Sequence, residues 1–100
     1  MTGAPLSAAG ALAWLRSLST DLGAAAVLDA DGALLAGDPD AGRRAAAALA
    51  AQPDAREVHD GGLLVVRGAG HTVAAALGPR ALVRVARLDL ATAAEALGDP

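Results

Sequence analysis

The spacing of apolar residues changes along the chain from helical to strand-like, and the clearest strand pattern lies in residues 24–37. Ala24–Asp29 and Ala33–Gly37 are apolar runs of strand length. Between them, Ala30-Asp31-Gly32 ends in a glycine, which supplies the positive φ of a tight turn. We therefore predict a β-hairpin. Its turn fits either a two-residue type I′ turn or a type I turn closed by a glycine bulge, and these differ in register.

A helix is predicted before this hairpin, over Pro5–Leu22. Apolar residues recur there at intervals of three to four, as one face of a helix requires. These residues are Leu12, Leu15, Leu18 and Leu22, and Trp14 adds to the same side through Leu18. Gly23 follows, where a glycine with positive φ commonly ends a helix. We expect the first helix to end there.

A second helix is predicted over Pro39–Gln52. Asp38 offers an N-cap acceptor, Pro39 already has a helical φ, and Pro53 disfavours a helical conformation for the residue before it. One face consists mostly of small residues: Gly42, Ala45, Ala46 and Leu49. Such a face allows close packing either against a sheet or against a second copy across a two-fold axis.

Three short strands follow as a meander joined by glycine turns. They are Arg56–Asp60, Leu63–Arg67 and His71–Leu77. The first carries charges and a histidine, which is typical of an edge strand. The second contains the uninterrupted apolar run LLVV, which indicates a strand covered on both faces.

The last element, Arg80–Leu97, is predicted to be a helix. Its first half, ALVRVARLDL, could instead be a strand, but the apolar face continues in helical register through ATAAEAL and Gly98 follows as a stop. The inward face is predicted to be Val83, Ala86, Leu90, Ala93 and Leu97. The order is then α-β-β-α-β-β-β-α, in a single domain that spans residues 1–100.

Composition narrows the classes of partner. Hydrophobic residues make up 54% of the chain but are largely alanine, and there is one Trp with no Phe or Tyr. The net charge is −3. Base stacking needs aromatic rings and phosphate binding needs a basic surface, so a nucleic acid is not expected as a partner. Cys is absent, so neither disulfides nor thiolate chemistry is available.

The N-terminal apolar stretch does not predict membrane insertion. Leu6–Leu22 is interrupted by Arg16 and Asp21 and falls short of the roughly 20 apolar residues of a membrane span. It also lacks the basic region that begins a secretory signal. We expect a cytoplasmic protein without a membrane partner.

Candidate metal ligands fall into two groups. The acidic residues Asp29, Asp31, Asp38 and Asp40 do not match the calcium-binding EF-hand, and turn formation and a helix N-terminus explain them better. His59, Asp60 and His71 could meet across adjacent strands and hold zinc, but they match no ligand spacing, so half-exposed strand positions are favoured. No metal site is predicted.

Catalytic and cofactor motifs are also missing. Ser7, Ser17 and Ser19 have no His at helical spacing and no nucleophile-elbow pattern. Gly68-Ala69-Gly70 lacks the third glycine of a dinucleotide fingerprint and the lysine of a P-loop. We therefore predict no catalytic residues, no cofactor and no enzymatic activity.

Two arginines stand near the N-terminus of the second helix, where positive charge opposes the helix dipole. Either Asp38 and Asp40 compensate Arg43 and Arg44, or these arginines meet an acidic partner. We favour the first interpretation and keep both arginines as candidate partner contacts.

The order of elements and the motif LGAAAVLDADGALLAG resemble the Roadblock/LC7 family, with Gly23, Asp29 and Gly32 at the matching positions. The resemblance extends from Leu6 to about Leu97. The chain departs from the family in its short polar third strand, its tight meander turns and the small side chains of its middle helix.

The resemblance implies a three-layer α-β-α sandwich, an α+β fold with a five-stranded antiparallel sheet and the middle helix alone on one face. It also implies a homodimer through the middle helix and third strand, and, in bacterial members, a non-enzymatic regulator or scaffold for a Ras-like small GTPase. The implied interface is Gly42, Ala45, Ala46, Leu49, Arg56 and Val58. Profilin, PAS and GAF domains have related layers, so a small-ligand sensor is the alternative, which would need a roomy pocket.

Overall fold

The computed structural model describes residues 7–18, 22–68 and 70–97. Within these residues the predicted order α-β-β-α-β-β-β-α is confirmed. The elements are α1 (Ala8–Leu18), β1 (Leu22–Asp29), β2 (Leu34–Gly37), α2 (Pro39–Ala51), β3 (Glu57–Asp60), β4 (Leu63–Arg67), β5 (His71–Leu77) and α3 (Val83–Ala96).

The strands form one antiparallel sheet in the order β2-β1-β5-β4-β3. The last strand in sequence, β5, therefore lies in the middle, and β2 and β3 are the edges. The prediction that the polar strand after α2 is an edge strand is confirmed.

Helices cover both faces of the sheet. On one face, Leu15 of α1 and Leu90 of α3 belong to the same core as Leu64 of β4. On the other, alanines of α2 pack with Leu63 and Val65. Successive side chains of a strand point to opposite faces, and β4 accordingly serves both cores, as its uninterrupted apolar sequence predicts. The layers are α-β-α.

The β1–β2 turn is a type I turn closed by a glycine bulge, the second of the two predicted forms. Gly32 has φ 88°, and no described residue other than glycine has positive φ, whereas type I′ needs two successive residues with positive φ. Gly32 N donates to Asp29 O at 3.0 Å, and Asp29 N donates to Ala33 O at 2.9 Å.

The predicted end of the first helix is wrong. α1 ends at Leu18, and Leu22 already lies in β1, opposite Leu77 of β5. Gly23 is a strand residue without positive φ. Leucines four positions apart fit a helical face, but Leu22 instead extends the pairing of β1 with β5. Pro5 and residues 19–21 lie outside the described residues.

The prediction for α2 is confirmed, and so is the helical state of α3, although α3 begins at Val83, three residues after the predicted start at Arg80. The Asp38 side chain accepts a hydrogen bond from Ala41 N, and Gln52 is the C-cap of α2. α3 is a helix, which excludes the strand alternative for its first half. Its predicted inward residues are buried, except that Val83 is half-buried. Gly98 lies outside the described residues.

Candidate interaction surfaces

The β3–β4 hairpin determines which backbone groups of β3 bond to β4. Both residues of its Gly61-Gly62 turn have positive φ, as in a type I′ turn, and the residues that flank it, Asp60 and Leu63, are paired. At the other end, Arg67 N donates to Arg56 O at 2.7 Å. Hydrogen-bonded pairs alternate along an antiparallel ladder, and both ends of the hairpin fit the same alternation.

This alternation leaves Glu57 and His59 with backbone N–H and C=O groups that point away from β4. Val58 lies between them and faces its partner Val65. Because β3 is an edge strand, these outward groups line an open edge to which another strand can add. Neither a proline nor a bulge, two features that commonly protect an edge, interrupts the four paired residues of β3.

Helix α2 lies next to this edge. Arg44 Nη2 donates to the carbonyl oxygens of Asp60 at 3.3 Å and Gly61 at 3.2 Å, which places that side of α2 near the β3–β4 turn. Ala47 and Ala51 follow on the same side of the helix and both are exposed. We call the outward edge of Glu57 and His59, together with Arg44, Ala47 and Ala51, the β3–α2 surface.

The residues expected in a dimer interface lie partly inside the single chain. Gly42, Ala45 and Val58 are buried. Ala46 and Leu49 are half-buried, and Arg56 is exposed. The small-residue face of α2 packs on the chain's own sheet, which is one of the two uses that its pattern predicts. The side of α2 nearest the open edge is therefore that of Ala47 and Ala51.

Arg43 and Arg44 both have partners within the chain. Arg43 Nη2 lies 2.9 Å from Asp40 Oδ1, and both side chains are about three-quarters exposed, at 73% and 74%. Arg44 holds the carbonyl groups of the β3–β4 turn. The ion pair of Arg43 with Asp40 is the charge compensation that is favoured from the sequence. An exposed pair of this type contributes at most about 1 kcal/mol to stability.

The acidic residues of the hairpin and of α2 mostly have structural roles. The Asp29 carboxylate accepts hydrogen bonds from Asp31 N at 2.8 Å and Ala33 N at 2.9 Å. Asp38 caps α2 and Asp40 pairs with Arg43. These contacts agree with the prediction that turn formation and the helix N-terminus account for this cluster.

The structure separates the two histidines that could have formed a zinc site. Strand β4 lies between β3 and β5: His59 is opposite Leu64, which is opposite Ala75. Ala75 is four residues from His71 along β5, or about 13 Å at the usual rise. The expectation that adjacent strands could bring the histidines together is therefore wrong. Across residues 7–18, 22–68 and 70–97, no three His, Asp or Glu side chains are grouped to hold a metal.

Helix α3 has an exposed apolar stripe that the sequence pattern did not reveal. The stripe begins at the N-cap residue Leu82 and continues in the helix with Val85 and Leu88; these residues are 69%, 49% and 63% exposed. Arg84 and Arg87 are exposed beside them. The sequence does contain a signal for this stripe: the segment ALVRVARL has more apolar residues than the helix can bury against the sheet.

A groove of about 550 Å³ runs beside α3, along β3 and the C-terminal end of β4. Val66, Leu88 and Ala91 contribute apolar walls, and an ion pair bridges it, with Arg87 Nε 2.7 Å from Glu57 Oε2. The apolar stripe of α3 is thereby linked to the open edge of β3.

A second cavity of about 340 Å³ lies between the C-terminal half of α2 and the β1–β2 turn. Ala46, Leu49 and Pro53 are among its walls. Its polar lining includes Thr72, which is buried, and the half-buried Arg67, whose Nη1 donates to the carbonyl oxygen of Pro53. The volume lies at the lower end of the range for small-molecule sites.

Comparison with known proteins finds no match for this chain among family models, curated proteins or solved structures. Within the described residues, no helix is both long and apolar enough to cross a membrane.

Proposed function

We propose that this chain is a non-enzymatic regulatory or scaffold module of the Roadblock/LC7 type, which works as a homodimer with a Ras-like small GTPase in the cytoplasm. The order of elements and the α-β-α layers agree with what the resemblance implies. The observation that carries the proposal is the open edge of β3 beside the small side chains of Ala47 and Ala51.

In the proposed dimer, the β3 strands of two copies pair and join their sheets. The outward N–H and C=O groups of Glu57 and His59 supply main-chain hydrogen bonds. Ala47 and Ala51 allow the two α2 helices to approach closely above the paired strands. Gly42, Ala45 and Val58 then support this surface from within each copy instead of touching the partner directly.

The GTPase is assigned to the outer side of α3. Leu82, Val85 and Leu88 form an apolar stripe, and large exposed apolar patches commonly mark interaction sites. Arg84 and Arg87 lie beside it, and arginine is enriched among the residues that dominate protein–protein binding. Arg87 also pairs with Glu57. Arg43 and Arg44, which likewise have intramolecular partners, are the alternative contacts.

Dimerisation is tested with two substitutions at one position. His59→Pro removes the outward N–H without breaking a bond to β4, whereas His59→Thr keeps that N–H in a residue that favours strands. Sedimentation equilibrium should give a dimer for the natural sequence, a weaker dimer for His59→Thr, and a folded monomer for His59→Pro. A natural sequence that stays monomeric at tens of micromolar contradicts the proposal.

GTPase binding is tested with purified small GTPases from the same organism, loaded with GDP or with a non-hydrolysable GTP analogue. We expect one of them to bind with a preference for one nucleotide state. The double substitution Leu82→Ser with Leu88→Ser should abolish binding and leave the dimer intact, with Leu18→Ser as an exposed apolar control on α1. Equal loss in the control contradicts the assignment to α3.

The second candidate is a small-ligand sensor, which the cavity beside the β1–β2 turn favours. Its walls combine apolar and polar residues, and Thr72 and Arg67 are among the groups that could orient a ligand. A metabolite that binds there stabilises the folded state by mass action. A sensor therefore predicts a ligand-dependent rise in the unfolding temperature.

A further inference from the structure

We infer that the two β3 strands of the dimer pair about a two-fold axis at Val58, so that Glu57 of each copy faces His59 of the other. This inference rests on the proposed dimer and specifies its register and its contacting side chains.

The register follows from which backbone groups are open. In a symmetric antiparallel pair, outward residues must meet outward residues. An axis at Glu57 would require Ala55, which precedes the strand, to pair with His59. An axis at His59 would require Gly61, a turn residue with φ 55°, to pair with Glu57. An axis at Val58 pairs both outward residues of each copy within β3.

The side chains favour the same register. Glu57 and His59 both lie on the sheet face opposite Val58, which belongs to the α2 core. With the axis at Val58, a carboxylate faces an imidazole on each side of the axis. With the axis at Glu57, two carboxylates would face each other, and like charges directly opposite are destabilising.

The neighbouring charge does not prevent this pairing. Arg87 Nε holds Glu57 Oε2 at 2.7 Å, and a carboxylate offers two oxygens with several acceptor sites. Glu57 Oε1 can therefore accept a hydrogen bond from the imidazole of the other copy while the contact with Arg87 remains. The Glu57 carboxylate would then join α3 to the dimer interface.

Because the chain has no cysteine, single cysteines can report the register. We would prepare Glu57→Cys and His59→Cys and oxidise each alone and as a mixture. The Cα atoms of a directly opposed pair lie about 5.5 Å apart, within disulfide range. We expect the mixture to form crosslinked heterodimers and neither variant to crosslink efficiently alone.

Each other outcome has a distinct meaning. Efficient crosslinking of Glu57→Cys alone, or of His59→Cys alone, places the axis at that residue and overturns the inference. A dimer that gives no crosslink in any mixture overturns the β3 contact itself. A monomer by sedimentation for the natural sequence, before any crosslinking, contradicts the proposed function instead.

A second measurement tests the paired side chains. Glu57→Gln and His59→Gln should each weaken the dimer about 2- to 30-fold, the range for two cross-strand pairs. The double variant should weaken the dimer by a factor smaller than the product of the two single fold-changes. Asp60→Asn, on the opposite face of β3, should leave the dimer dissociation constant unchanged. Purely multiplicative effects would show that Glu57 and His59 do not interact.

Discussion

At the scale of single residues, different effects disfavour a side chain at two glycine positions. Gly37 has φ 104°, and a Cβ there would lie 2.2 Å from Ala25 O and 2.8 Å from Ala26 Cα. Gly62 has φ 83°, but a Cβ would meet no other atom within 4 Å. Backbone strain acts at both positions, whereas the steric clash with β1 acts at Gly37 alone.

Alanine substitutions should separate these two effects. We expect Gly62→Ala to lower the free energy of unfolding by about 1 kcal/mol, the usual cost of a left-handed conformation. Gly37→Ala should lower it by at least about 3 kcal/mol, because β2 must also move away from β1. Urea denaturation measures both values. Equal losses of unfolding free energy would show that the backbone of β1 can shift at little cost to accommodate the added Cβ.

At the scale of elements, α3 shows how little of an alanine-rich helix contributes large buried side chains. Leu90 is fully buried against the sheet, while Leu88, two positions earlier, is 63% exposed. The neighbouring inward positions are mostly alanine, and an alanine side chain contributes much less burial free energy than leucine. The attachment of α3 to the sheet should therefore depend strongly on Leu90.

The same substitution at both leucines tests this dependence. Leu90→Ala should cost about 2–5 kcal/mol of unfolding free energy, since it leaves a cavity in the core. Leu88→Ala should change it by at most about 0.5 kcal/mol, as for other surface substitutions. Chemical denaturation followed by circular dichroism gives both values. A large loss at Leu88 would contradict its proposed availability to a partner.

At the scale of the whole molecule, the two candidate functions predict different dependences of stability on concentration. Association of two folded copies stabilises them by mass action, and so does a bound ligand. The open edge of β3 predicts stabilisation by association of two copies, and the cavity beside Thr72 predicts stabilisation by a ligand. Both effects appear as shifts of the same unfolding transition.

Calorimetry of the natural sequence should therefore show an unfolding midpoint that rises with protein concentration. Each tenfold increase should add about 1.4 kcal/mol per dimer. The midpoint of His59→Pro should not change with concentration. The sensor would be favoured if the unfolding midpoint of the natural sequence did not change with protein concentration but rose when a metabolite was added.

Several elements could be predicted because their signals are local. Asp38-Pro39 begins α2, Gly32 turns the first hairpin, and the polar sequence of β3 indicates an edge. The first two features depend on hydrogen bonds and φ angles within a few residues, so neighbours in sequence suffice to determine them. The edge position of β3 depends on the sheet order, but it could be predicted because edge strands commonly carry charged side chains. The candidate site was predicted less completely: β3 was included, but Ala47, Ala51 and the stripe on α3 were not.

The amino-acid sequence by itself determined the order of elements and the chemistry of the turns. Only the tertiary structure decided that Leu22 belongs to β1, that α2 turns Gly42 and Ala45 inward, and that His59 and His71 are far apart. These outcomes depend on which surfaces compete for burial across the sheet. A periodic pattern shows that a side chain can be buried, but the packed neighbours determine where.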